Sequence, residues 1–106
     1  MQSQETQLHI PVLLEESIAG LAITDGDIVV DGTFGGGGHS SALLAQYGSQ
    51  IKLICVDLDE AARDRFIARM SGESNVQFVH ANFKDAHMIM TSAGVVHVDK
   101  VLLDLG

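Results

Sequence analysis

The chain has 106 residues, of which 46% are apolar and 19% charged, and its formal net charge is −8. This length and composition predict at most one globular domain and exclude a disordered chain. No apolar run approaches the roughly 20 residues of a membrane span, and the single cysteine excludes an internal disulfide. We therefore expect a soluble, cytoplasmic protein. Its acidic balance argues against a segment that binds a phosphate backbone unaided.

The start of the sequence predicts a helix, a turn and a short strand. Apolar residues recur at helical spacing over residues 11–22, behind a proline suited to a first helical turn. The segment TDGD at 24–27 is typical of a turn, and the apolar run IVVD at 28–31 predicts a strand.

The rest of the sequence alternates between helical and strand patterns. The predicted elements are a helix around 42–47, a strand over 51–57, a helix over 60–71, a strand over 76–80, a helix from about 82 to 92, and a strand over 100–105. Such alternation favours parallel strands joined by right-handed crossovers. The sequence therefore predicts an α/β fold, a doubly wound parallel sheet of about four strands. Within it, Cys55 is expected to be buried and Asp59 to cap the helix over 60–71.

Four consecutive glycines, Gly35 to Gly38, stand between the first predicted strand and the following helix. In open α/β sheets, ligands bind at the carboxyl ends of the strands, near the point where the strand order reverses. Glycines there let the backbone approach a ligand closely, and the next helix offers free N–H groups. A glycine-rich structural turn is the alternative, but four glycines at this joint favour a ligand.

The dinucleotide fingerprint GxGxxG fits none of the possible registers. Counting from Gly35 or Gly36, the third glycine position falls on Ser40 or Ser41, and counting from Gly32 the middle position is Phe34. No Gly-Lys-Ser/Thr follows, so the phosphate-binding loop of nucleoside triphosphatases is also excluded. A nicotinamide-dependent oxidoreductase is therefore disfavoured.

The residues at the strand ends instead suit S-adenosylmethionine, which has a ribose and an adenine but no phosphate. Asp57 ends the second strand, where an acid can accept the hydrogen bonds of a ribose diol. Phe83 follows the third strand and could contact the adenine, and Asp104 ends the fourth, where a buried acid needs a partner such as an amino group. His39 follows the glycines directly and is a further candidate contact. The histidines show no metal-ligand spacing, and no metal is expected.

Several motifs together resemble a known family. They are HIPVLLEE at 9–16, VDGTFGGGGHS at 30–40, VDLD at 56–59, HANF at 80–83 and VLLDLG at 101–106. In this order they are similar to the N-terminal part of the bacterial 16S ribosomal RNA N4-cytosine methyltransferases, the MraW-like family. Members often have a larger residue at the position of Gly36.

The resemblance implies a class I, Rossmann-like methyltransferase that uses S-adenosylmethionine to methylate the N4 amine of a cytidine in 16S rRNA, with the small ribosomal subunit as partner. Its cofactor contacts would be made by Gly37, Gly38, His39, Asp57, Phe83 and Asp104. Asp104 is also a candidate acceptor for the substrate amine.

Members of this family are considerably longer than 106 residues. We therefore expect residues 1–106 to form the N-terminal part of the cofactor-binding domain, without the later strands and the helical substrate domain, and to be inactive alone. A non-catalytic cofactor-binding or interaction module remains an alternative. An uncovered sheet edge would also favour self-association.

Overall fold

A computed structural model describes residues 22–102 of the chain. Seven elements alternate along these residues: β1 (Ile28–Asp31), α1 (Gly38–Tyr47), β2 (Lys52–Asp57), α2 (Ala61–Met70), β3 (Val76–His80), α3 (Ala86–Ala93) and β4 (Lys100–Leu102). A short 3-10 turn at Gly48–Gln50 follows α1. The predicted α/β fold is thus confirmed.

The four strands form one parallel sheet in the order β3-β2-β1-β4. β1 pairs with both β2 and β4, so that Asp31 lies between Cys55 and Leu102. At the far edge, Asp57 of β2 is in register with His80 of β3. The chain reverses its direction across the sheet between β1 and β4, where a parallel sheet offers its ligand crevice.

Helices cover both faces of the sheet, as a doubly wound fold requires. Side chains of α1 and α2 pack on one face with Val29, Leu53 and Cys55. Side chains of α3 pack on the other, with alternate strand residues such as Val30 and Ile54. β2 is buried on both faces, which explains its nearly continuous apolar sequence.

The last two predicted elements differ from the structure. α3 begins at Ala86 rather than near residue 82, because Asn82 forms a turn first: its side chain accepts the Lys84 N–H at 2.9 Å and its carbonyl accepts the Asp85 N–H at 2.9 Å. Asp85 then caps the helix through the Met88 N–H. β4 is described over Lys100–Leu102, and residues 103–105 of its predicted span lie outside the described residues.

The predicted helix over 11–22 also lies outside the described residues, apart from its last position. The turn over 24–27 is confirmed, since the Asp27 N–H donates to the Thr24 carbonyl at 3.1 Å. Asp59 accepts the Ala61 N–H at 3.0 Å but stands one residue before the N-cap position of α2. Within residues 22–102, no helix is long and apolar enough to cross a membrane.

Candidate functional site

The glycine-rich loop runs from the end of β1 across the carboxyl end of the sheet. At its start, the Gly32 N–H donates to the Leu102 carbonyl of β4 at 2.8 Å. Two residues later, the Phe34 N–H donates to the Val56 carbonyl of β2 at 2.9 Å. The loop therefore turns from one neighbour of β1 to the other before α1 begins.

Asp57 holds the middle of this loop. Its Oδ2 accepts the Gly35 N–H at 2.7 Å, and its Oδ1 accepts the Asp59 N–H at 2.9 Å. A carboxylate oxygen has two acceptor lone pairs, so each oxygen can accept one further hydrogen bond. Asp57 is half-buried, and its carboxylate can therefore be both fixed by the protein and reached by a ligand.

A cavity of about 140 Å³ lies beside Asp57. It is formed where the segments after β1, β2 and β3 meet at one edge of the sheet. Its lining residues are Gly32, Thr33, Asp57, Leu58, Ala81, Asn82 and Phe83. The cavity thus combines a carboxylate on one side with apolar side chains and a side-chain amide on the others.

Phe83 lies between this cavity and a second one. The second cavity, of about 150 Å³, opens on the α3 face of the sheet and has an apolar lining that includes Val30, Ile89 and Val101. Phe83 is half-buried and precedes α3, so it is not a residue of that helix. Phe83 therefore borders both the cavity beside Asp57 and the apolar cavity on the α3 face.

A buried polar network lies beneath the loop. Asp31 is completely buried, and its Oδ2 accepts the Ser40 hydroxyl at 2.7 Å while its Oδ1 accepts the Thr33 N–H at 3.3 Å. The Cys55 Sγ lies 3.3 Å from the same hydroxyl oxygen. The network connects β1, α1 and β2 directly below the glycines.

Burial dominates the ionisation of both acidic groups in this network. It raises the pKa of the Asp31 carboxyl, although the bonds from Ser40 and Thr33 act in the opposite direction. It also raises the pKa of the Cys55 thiol to about 12, so the thiol is protonated at neutral pH and is an inert, structural group. The predicted burial of Cys55 is confirmed.

The predicted site residues occupy two places. Asp57 and Phe83 meet at the 140 Å³ cavity. At the other end of the loop, where α1 begins, lie Gly37, Gly38 and His39. These three residues do not line the 140 Å³ cavity. Gly37 is used internally, since its N–H donates to the Phe34 carbonyl at 2.8 Å.

Asp104 lies outside the described residues. Within residues 22–102, no group of His, Cys, Asp and Glu could hold a metal ion.

Five of the seven lining residues were not predicted as site residues: Gly32, Thr33, Leu58, Ala81 and Asn82. Each follows a strand end by one or two residues, and that position was the available signal. Leu58 is 64% exposed although it is a large apolar residue directly after Asp57. An apolar side chain exposed beside a carboxylate is typical of a ligand crevice.

Residues 6–106 match the model of the MraW methylase family. The chain belongs to this family. The matched range includes every described residue, and so the glycine-rich loop and Asp57.

Curated relatives agree with the family match. A "Ribosomal RNA small subunit methyltransferase H" from Aromatoleum aromaticum is 44% identical over 98 residues, covering 92% of this chain and 31% of that protein. A protein of the same name from Phocaeicola vulgatus is 42% identical over 98 residues, with the same coverage. Another from Bacteroides fragilis is 37% identical over 106 residues, covering 100% of this chain and 34% of that protein. The chain spans about a third of the length of these relatives.

Proposed function

We propose that this chain forms the S-adenosylmethionine-binding part of a ribosomal RNA methyltransferase. The observation that carries the proposal is the cavity at the carboxyl ends of the strands, where Asp57, Leu58 and Phe83 meet within a methylase family sequence. The names of the curated relatives support ribosomal RNA of the small subunit as the substrate.

The residues present fit this cofactor chemically. Asp57 has one free acceptor position on each carboxylate oxygen, which matches the two hydroxyls of a ribose. Leu58 and Phe83 supply apolar surface for an adenine, and Asn82 supplies an amide. The net charge of −8 favours a cofactor that carries a sulfonium cation.

The reaction we propose is transfer to the N4 amine of a cytidine in 16S rRNA. When bound, S-adenosylmethionine supplies an activated methyl group on its sulfonium sulfur. The part of this chain is to bind and orient: Asp57 would fix the ribose, and Phe83 the adenine. Orientation of this kind supplies a large share of the rate enhancement in such a transfer. Gly37, Gly38, His39 and Asp104 remain proposed contacts, and Asp104 also a proposed acceptor for the substrate amine.

We further propose that RNA binding depends on surface contributed by the other two thirds of the length found in the relatives. All six Lys and Arg lie among the described residues, and they are outnumbered by 14 carboxylates. Three of the six are on α2, where Arg63 lies over the Phe78 ring and Arg65 binds the glycine loop. Such a surface offers little attraction to a polyanion. On this proposal, residues 1–106 bind the cofactor but do not methylate small ribosomal subunits by themselves.

Calorimetry with S-adenosylhomocysteine tests the cofactor site. Replacing Asp57 by Ala removes the acceptor for the ribose hydroxyls, and we expect binding to weaken by about 1–3 kcal/mol. Asp25→Ala is the matched control, because Asp25 is an exposed acid in the turn at the opposite end of β1. Equal binding by the parent and Asp57→Ala would rule out the ribose role. Tighter binding of NAD than of S-adenosylhomocysteine would rule out the methyltransferase cofactor.

A further inference from the structure

Gly35 is held by side chains on both of its backbone polar groups. Its N–H donates to Asp57 Oδ2 at 2.7 Å, and its carbonyl accepts Arg65 Nε at 2.8 Å. These two groups belong to the peptide planes before and after the Gly35 Cα, so together they fix both of its dihedral angles. Gly35 has φ +57°, a left-handed conformation that glycine adopts about as readily as a right-handed one, so the two contacts select one of several accessible conformations.

The contacts around Gly35 close into a ring. Asp57 also accepts the Asp59 N–H, and Asp59 Oδ2 lies 3.8 Å from Arg65 Nη2. Starting from Gly35, the ring passes through Asp57 at the end of β2, Asp59 before α2 and Arg65 in the middle of α2, and returns to the loop. Arg65 is the only cationic member of this ring. It connects the Gly35 carbonyl of the loop to the Asp59 carboxylate before α2.

A second arginine of the same helix supports the loop. Arg69 lies four residues after Arg65, which places both on one side of α2. An atom added at the Cβ position of Gly37 would lie 3.1 Å from Arg69 Cδ, so the stem of Arg69 packs closely against the end of the loop. The α2 side chains therefore define the path of the glycines independently of any ligand.

We infer that Arg65 is a positioning residue of the cofactor site, acting through the Gly35 carbonyl. Because Arg65 fixes the Gly35 carbonyl, the Gly35 N–H stays on Asp57 Oδ2. The remaining acceptor positions of the Asp57 carboxylate then keep a constant orientation. This role rests on the proposed function, because it concerns how the Asp57 carboxylate meets a ribose. Arg65 itself does not line the cavity.

Lysine cannot replace arginine in this role. The guanidinium is a planar group whose Nε and Nη2 face two different partners at once, the Gly35 carbonyl and Asp59. A lysine has the same charge but a single nitrogen on a flexible stem. Arg65→Lys therefore separates geometry from charge, and Arg63→Lys is the matched control, since Arg63 is on the same helix but lies over the Phe78 ring.

The test combines calorimetry with nuclear magnetic resonance on the 106-residue chain. Arg65→Lys is expected to shift the Gly35 and Gly36 amide resonances in the ligand-free protein and to weaken S-adenosylhomocysteine binding about tenfold, with little change in Tm. Arg63→Lys is expected to leave both the glycine amides and the affinity unchanged. Asp59→Asn, which keeps the Asp59 N–H, is expected to cause a smaller shift of the same amides.

The two possible failures give different results. If the parent and Arg65→Lys bind S-adenosylhomocysteine equally and share the same glycine amide resonances, the positioning role is wrong and the proposed function is untouched. If the parent itself does not bind at millimolar ligand, the proposed function fails and this role fails with it. Should Arg65→Lys unfold, unchanged glycine amides and affinity in Asp59→Asn would overturn the role.

Discussion

Among the described residues, the two faces of the sheet differ in how tightly helix side chains pack against the strands; a cavity of about 310 Å³ on the α1 and α2 side lies between the two helices and not against the strands. On the α1 and α2 face, the rings of Phe34, Phe66 and Phe78 contact one another with centroids 5.5–6.1 Å apart, and Leu43 and Leu53 are completely buried. On the α3 face, a cavity of about 150 Å³ remains between the helix and the strands. α3 has eight residues, against ten in each of α1 and α2.

The difference shows which side of the molecule fixes the glycine loop. Phe34 belongs to the loop and is buried in the closely packed face, and Arg65 and Arg69 reach the loop from that side. Phe83, by contrast, comes from the chain that leads to α3 and borders the open cavity. We therefore expect the Asp57 side of the crevice to be rigid, whereas the Phe83 side has room to adjust.

Of the substitutions that test this comparison, Gly37→Ala is expected to change the free energy of unfolding most. Gly37 has φ +90°, and an added Cβ would lie 3.0 Å from the Phe34 ring. The left-handed backbone and the crowding of a packed ring together should cost about 2–3 kcal/mol of the free energy of unfolding. Urea unfolding measures it.

Gly36→Ala is the control for this measurement. Gly36 is exposed, and nothing lies within 4 Å of its Cβ position. We expect a change of at most about 0.5 kcal/mol, as at other surface positions. An equal loss in the two variants would contradict the close packing of Gly37 and indicate that any side chain in the loop is harmful.

Asp31→Asn tests the burial of the carboxylate on the packed face, and its effect is a pH dependence. Burial raises the Asp31 pKa, so between the ordinary pKa of about 4 and the raised one the unfolded chain ionises while the folded chain does not. The parent therefore loses stability as the pH rises through this window, and asparagine, which cannot ionise, does not. We expect the stability of Asp31→Asn minus that of the parent to rise with pH and then level off.

Urea unfolding of both proteins from pH 4 to pH 8 gives this difference directly. Taking the difference removes the contributions of the other carboxylates, which the two proteins share. Asp25→Asn, in an exposed turn, is the control for the substitution itself. A difference that stays flat or falls with pH would mean that water reaches Asp31 in the folded protein.

The sequence predicted the architecture well because the fold depends on patterns that extend over many residues. Strands buried on both faces, such as β2, appear as apolar runs. Helical patterns between such strands favour a parallel sheet with right-handed crossovers. The structure brings Asp57 and Phe83 to one cavity for a related reason: the carboxyl ends of parallel strands meet at one edge.

The features that the sequence did not reveal depend on individual hydrogen bonds, some short-range and some long-range, rather than on periodicity. The turn at Asn82 delays α3 by about one helical turn, and an alternation of apolar residues does not reveal it. Arg65 escaped notice because a lone arginine on a helix has no signature, and its contact with Gly35 spans 30 residues. The network of Asp31, Ser40 and Cys55 likewise depends on side chains from three elements.

The smallest expected changes in the free energy of unfolding come from two substitutions in β1, each of which adds one methylene to a different face of the sheet. Val29 and Val30 are neighbours in β1 and point to opposite faces, Val29 into the closely packed core and Val30 into the 150 Å³ cavity. Isoleucine is as compatible with a strand as valine, so the backbone contribution is the same at both positions. Val30→Ile should therefore fill empty space and raise the free energy of unfolding by about 0.5 kcal/mol, below the 0.8 kcal/mol of a fully buried methylene.

Val29→Ile should have the opposite sign. Val29 is completely buried, and an extra methylene there has to displace its neighbours, which costs about 1 kcal/mol or more. Urea midpoints of the two variants, measured beside the parent, give both values. Two losses of equal size would show that the α3 face closes around Val30 in solution. The rigid and adjustable sides of the crevice would then no longer be distinguished by packing, and only the ring of contacts through Gly35 and Arg65 would set the Asp57 side apart.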